Sequence, residues 1–231
     1  MTFRDIPDLA LEDLDSDGAI REAADSLPRS SRGGFLKVVA GGIAGAVALG
    51  RPPGARAALA RGDVAILNYA LTLEYLQDAF YTEAERKGAL AGPAARLTRV
   101  VGAVERAHVR ALRDVLGSKA VARPFFDFRG VTESPSSFIR TAVAFEDLGT
   151  AAYKGQAHLI ESPQVLAAAV GIHSVEARHA AWIRYIAGTP PAADAFDQGT
   201  SKPETLRLVK ATRFVVARPR TTAAKKPAFT G

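Results

Sequence analysis

Two stretches, "AVERAHVRAL" (residues 103–112) and "SVEARHAAW" (174–182), each place a glutamate three positions before a histidine in an apolar setting. Around the first pair the apolar positions are Val101, Leu112 and Val115, with Glu105 and His108 between them. Around the second they are Ile172, Ile183 and Ile186, with Glu176 and His179 between them. Both series step by four and three residues, the spacing that puts side chains on one face of an α-helix. Each Glu–His pair therefore lies mid-stripe, on the face a helix buries. A buried carboxylate beside a buried imidazole is costly unless something pairs with both. Any fold for this chain has to supply that partner.

The surrounding punctuation predicts four long helices. "GDVAILNYALTLEYLQDAFYTEAERKG" has Asp63 as N-cap and Gly88 as its stop; the second helix opens at Pro93 and stops at Gly117. The third and fourth open alike, with Ser134-Pro135 and Ser162-Pro163, and the fourth stops at Gly188. Proline just inside a start and glycine just past an end are the expected helix boundaries. Abundant alanine and scarce β-branched runs favour helix over sheet. Each helix is about 25 residues, roughly 37 Å.

The first and second helices, and the third and fourth, are joined by very short links, so each pair should form an antiparallel hairpin. Between the hairpins lies "SKAVARPFFDFRGVTE" (118–133), which has little helical pattern. Fully extended it spans roughly 55 Å, enough to return along the whole bundle. The predicted fold is all-α: a four-helix bundle of two hairpins with one long crossover.

The first and third helices share a further pattern. One runs Leu67, Leu71, Glu74, Asp78, Tyr81; the other runs Ile139, Val143, Glu146, Thr150, Tyr153. Glu74 precedes Glu105 by 31 residues and Glu146 precedes Glu176 by 30, so the four glutamates reach similar heights near mid-bundle. The two hairpins read as an old internal duplication. Four carboxylates and two imidazoles then converge on one point, and burying that much negative charge unpaired is prohibitive. Two divalent cations would cancel it. One glutamate from each of two helices plus Glu-x-x-His from each of the other two is the ligand pattern of dimetal carboxylate bundles. The candidate ligands are Glu74, Glu105, His108, Glu146, Glu176 and His179. Iron or manganese is expected, because mixed oxygen and nitrogen ligation with open positions suits them better than zinc's closed tetrahedron.

Other residues carry weaker signals. Tyr81 and Tyr153 are candidates to hydrogen-bond the ligands, or ordinary packing with a satisfied hydroxyl. Asp78, one turn from Glu74, is an alternative oxygen ligand. His158 and His173 sit off the stripe centres and are lesser ligand candidates. Trp182 and the cluster Phe125, Phe126 and Phe128 read as packing.

"LNYALTLEYLQDAFY" (67–81) and "TSKPETLRLVKATRFV" (200–215) resemble the first helix and a short C-terminal helix of the ferritin-like superfamily. The likeness is greatest to exported bacterial ferritin-like proteins related to plant desiccation-related proteins, and it covers roughly residues 62–215. It implies a short fifth helix and a dimetal site in which Glu74 and Glu146 are terminal ligands, Glu105 and Glu176 bridges, and His108 and His179 ligands of one metal each. It does not imply a particular reaction, and no residue is assigned as catalytic.

Residues 1–28 hold eight acidic residues and two arginines, too polar to join a core. Arg32 to Lys37 then form a basic start, Val38 to Leu49 an apolar run, and Ala55-Arg56-Ala57 an A-x-A-like cleavage site. Twelve apolar residues are too few to cross a bilayer as a helix. The segment reads as an export signal, and "SRGGFLK" (31–37) resembles the twin-arginine consensus with Gly33 in place of the second arginine. The expected organisation is a cleaved leader over 1–57, the bundle with its short C-terminal helix over 62–215 and a basic tail over 216–231. The destination is periplasmic or extracytoplasmic, with membrane contact only through the signal.

The net charge of +6 resides in the end of the chain: from Gly199 on there are eight Lys/Arg against Glu204 alone. Residues 1–198 are close to neutral, which argues against a nucleic-acid partner. The chain has no cysteine, which excludes disulfides, iron–sulfur clusters and a built-in rubredoxin-like electron donor. Ferrous oxidation or peroxide dismutation needs no such relay. The expected activity is therefore redox chemistry on ferrous iron, dioxygen or peroxide, with a small molecule or metal as substrate. The alternative is a stress-protective or interaction bundle whose metal is structural or absent. Assembly into a homo-oligomer is compatible with either.

Overall fold

The computed structural model describes residues 59–192 and 194–218. The expected leader with its export signal lies outside them, as does the basic tail beyond Arg218. Five α-helices follow in order: α1 (Arg61–Lys87), α2 (Gly92–Leu116), α3 (Pro135–Ala157), α4 (Pro163–Ile186) and α5 (Lys202–Thr212). α1 packs along α2 and α3 along α4, and the two antiparallel hairpins face one another through α1–α3 and α2–α4 contacts. The crossover joins α2 to α3, and the short α5 closes against α3. No helix among the described residues is long and apolar enough to cross a membrane.

The boundaries follow backbone chemistry. Gly88 ends α1 at φ 63°, a left-handed conformation that glycine adopts without steric cost, and its N–H bonds the Ala84 carbonyl. Ser162 and Ser201 cap α4 and α5, their hydroxyls accepting from Val165 N and Glu204 N. Ser134 precedes α3, but its side chain makes no cap bond.

Asp63 departs from expectation. α1 begins at Arg61 with Ala60 before it, so Asp63 lies inside the first turn and is fully buried. Its carboxylate accepts from Glu161 N at 2.9 Å and Ser162 N at 3.0 Å. A tight turn pressed onto the bundle leaves backbone N–H groups without helical partners, and Asp63 supplies the acceptors. It pins the α3–α4 turn to the start of α1.

A second departure is a two-residue antiparallel ladder, Phe125–Phe126 (β1) with Val215–Val216 (β2), which ties the crossover to the segment after α5. Asp127 N adds a bond to Phe214 O at 2.9 Å. Phe125, expected to pack, is exposed with the Arg218 guanidinium over its ring; Phe128 is buried. Trp182 packs at the margin of the core.

Phe80 of α1 centres the largest aromatic cluster. Its ring stacks on Phe138 at 5.0 Å and meets Phe145, Phe128 and Tyr81 edge-on at 5.1–5.4 Å. The cluster joins both hairpins and the crossover, so Phe80→Ala should cost about 3–5 kcal/mol of stability. A urea-unfolding loss below about 1 kcal/mol would show that this cluster is not the structural core.

Candidate metal centre

The 3.6-residue stripes deliver Glu74 from α1, Glu105 and His108 from α2, Glu146 from α3, and Glu176 and His179 from α4 to one level of the bundle. All four glutamates are 0 % exposed and the two histidines 5–6 %. The six residues form two overlapping quartets: Glu74, Glu105, His108 and Glu176, and Glu105, Glu146, Glu176 and His179. Within each, one potential ligand atom per residue lies within 4.8 Å of the others. Glu105 and Glu176 belong to both.

His108 Nδ1 lies 3.3 Å from Glu74 Oε2, 3.3 Å from Glu105 Oε2 and 3.2 Å from Glu176 Oε1. His179 Nδ1 lies 2.9 Å from Glu105 Oε1, 3.4 Å from Glu146 Oε2 and 3.9 Å from Glu176 Oε1. None of these contacts is aligned as a hydrogen bond. Nine buried side-chain atoms lack a hydrogen-bond partner among the described residues, and seven of them belong to these six residues. Native proteins rarely leave buried polar atoms unsatisfied. Here they are concentrated in one place and aimed at one another. Ligands about 2.0–2.2 Å from a shared ion sit roughly 3.0–3.5 Å apart, close to most of the separations found. Even with both imidazoles protonated, four ionised carboxylates would leave net negative charge. The donor set fits metal ions.

Two tyrosines brace the cluster reciprocally across the hairpins. Tyr81 of α1 donates to Glu146 Oε1 of α3, and Tyr153 of α3 donates to Glu74 Oε1 of α1, each at 2.5 Å. Each bond occupies one oxygen of its carboxylate and leaves Oε2 facing a histidine. Burial first, then the adjoining Glu146 or Glu74 charge, pushes both phenol pKa values well above the usual range, so the hydroxyls remain donors.

Burial raises Glu74 to about 7, with the His108 charge opposing and Glu105 adding to the rise. Burial also raises Glu146. Burial pulls His108 and His179 down, but the surrounding carboxylates outweigh it and hold both imidazoles well above their ordinary value.

The remaining candidates fall outside both quartets. Asp78 is buried one turn from Glu74, but Arg123 of the crossover ion-pairs with it and Thr82 bonds it. The arginine satisfies the carboxylate locally, which removes it as an alternative ligand. His158 sits at the C-terminal cap of α3 and His173 is half-buried on α4; neither joins a quartet. Sequence reasoning missed Gln77, whose amide donates to Glu176 Oε2 at 3.3 Å.

Residues 62–189, over half of the chain, match the family model described as a ferritin-like domain. The chain belongs to this family. No curated protein matches it. The paired hairpins, the long crossover and the acidic–imidazole cluster are thus those of a ferritin-like bundle.

Proposed function

We propose that this ferritin-like protein holds two iron or manganese ions between the six residues and performs redox chemistry on ferrous iron, dioxygen or peroxide. The observation that carries this reading is the set of seven unpartnered buried ligand atoms converging from four helices. In this reading Glu105 and Glu176, shared by both quartets, would serve both positions, Glu74 and His108 would complete one, and Glu146 and His179 the other. A redox-active pair of ions would supply two-electron chemistry that the side chains cannot perform themselves. The chain's own contribution is to hold the carboxylates and imidazoles converged in a buried interior, to fix two of the carboxylates through Tyr81 and Tyr153, and to exclude bulk water with the apolar stripes.

The test is metal analysis of protein from its own host, followed by ferrous-oxidation, oxygen-consumption and peroxide-consumption assays on the loaded and metal-free forms. Turnover that appears only with metal supports the reading. Full loading without turnover in any assay would instead mark a structural metal in a stress-protective bundle.

The basic, apolar and A-x-A-like regions of residues 32–57 support export, and the likeness to desiccation-related proteins supports a role in oxidative or drying stress outside the cytoplasm. Intact-mass measurement of extracytoplasmic protein should show cleavage near Ala57. A cytoplasmic protein retaining Met1 to Ala57 would rule this out.

A further inference from the structure

The duplicated halves place Gln77 three residues after Glu74 and Gly149 three residues after Glu146. Both halves carry the reciprocal tyrosine bond; Asp78 opposite Thr150 also differs but lies outside both quartets, so the Gln/Gly difference is the one that touches a quartet carboxylate. Gln77 is buried, and its amide N–H is the group that bonds Glu176 Oε2, since a carboxylate only accepts. Gly149 makes room for that bond: a Cβ there would stand 3.0 Å from Glu176 Oε2 and 3.4 Å from the Gln77 amide.

The consequence is an unequal supply of oxygens. Both oxygens of Glu105 are unpartnered, one beside each histidine. Glu176 has only Oε1 unpartnered, and that atom lies 3.2 Å from His108 Nδ1 but 3.9 Å from His179 Nδ1. Three carboxylate oxygens therefore crowd His108, whereas two stand close to His179.

We propose that Gln77 is a positioning residue that, by holding Glu176 Oε2, directs Glu176 to the His108 side and makes the two metal positions unequal. The His108 position fills first and more tightly. The His179 position has the poorer ligand supply and is the one left open to a small-molecule substrate. This rests on the dimetal reading above.

The experiment titrates the full metal-free chain with manganese(II) by calorimetry and locates the first ion by anomalous diffraction at one equivalent. The wild type should bind in two steps separated by about tenfold or more in Kd, as expected when one buried charge-assisted bond biases the ligands, with the first ion on the His108 side. Gln77→Leu keeps the side chain's bulk but removes the donor, and should still bind two ions with the steps within about threefold. The double exchange Gln77→Gly with Gly149→Gln moves the amide onto the matching side of Glu105 and should shift the first ion to the His179 side. If the exchanged protein does not fold, Gln77→Leu decides alone. Equal steps in the wild type, or an unchanged separation in Gln77→Leu, would overturn the proposal while leaving two ions bound. A wild type that binds neither manganese(II) nor, without oxygen, iron(II) would overturn the dimetal reading itself. A merely structural Gln77 would alter unfolding but neither the separation of the steps nor the place of the first ion.

Discussion

Glu105→Ala is expected to leave a folded bundle that retains fewer than two metal ions per chain and loses ferroxidase or peroxide turnover by more than about 100-fold, beyond what loss of an outer hydrogen-bonding partner costs. Glu105 belongs to both quartets, with one unpartnered oxygen toward each histidine, so its removal affects both positions at once. The fold should survive because the side chain makes no aligned hydrogen bond to lose and the apolar stripes remain. The metal-free variant also carries one fewer repelling charge. Glu176→Ala should behave similarly. His158→Ala, exposed at the end of α3, should change neither metal content nor turnover. Metal content by elemental analysis, with helicity and unfolding as the control, checks this. Two ions and full activity in Glu105→Ala would show that ligand assignment by helical phase is wrong.

The second large effect is on stability. In the metal-free protein Glu74 has a pKa raised from 4.5 to about 7 by burial, and Glu146 is raised as well. His108 and His179 are raised because adjoining carboxylates outweigh their burial. All four groups bind protons more tightly folded than unfolded. Their stabilisation is complete below the unfolded values and is lost as pH rises through the folded ones. For Glu74 the window runs from 4.5 to about 7, and the loss is on the order of 3 kcal/mol. Metal binding has the opposite slope, because protons compete with metal for these ligands. The metal-free protein should therefore be more stable at pH 5 than at pH 8, and the increment in stability on adding manganese should grow with pH. Urea unfolding of both forms at the two pH values measures this. A metal-free protein that gains stability from pH 5 to pH 8, with a metal increment that shrinks, would contradict it.

What the sequence made legible was what repeats locally. The stripes around Glu105–His108 and Glu176–His179 and the Pro/Gly punctuation act within one helix, so periodicity exposes them. Contacts made across the bundle were hidden. Asp63 stands where an N-cap would, but its demand comes from the N–H groups of Glu161 and Ser162, nearly a hundred residues away. Asp78 shares a stripe with Glu74 and looks like a ligand; Arg123, in a crossover without pattern, captures it. The Phe125–Val216 ladder is two residues long, too short for an alternating signal. Gln77 was within reach. Aligning the two halves on Glu74 with Glu146 and Tyr81 with Tyr153 leaves Gln77 opposite Gly149, a mismatch that marks the broken symmetry.

The most direct test of the central claim is anomalous diffraction at the iron and manganese edges from crystals of protein purified from its own host. Two peaks are expected inside the bundle, one bounded by Glu74, Glu105, His108 and Glu176, the other by Glu105, Glu146, Glu176 and His179. A fully folded protein with no peak among these residues, its carboxylates neutralised by protons or water alone, would contradict the account.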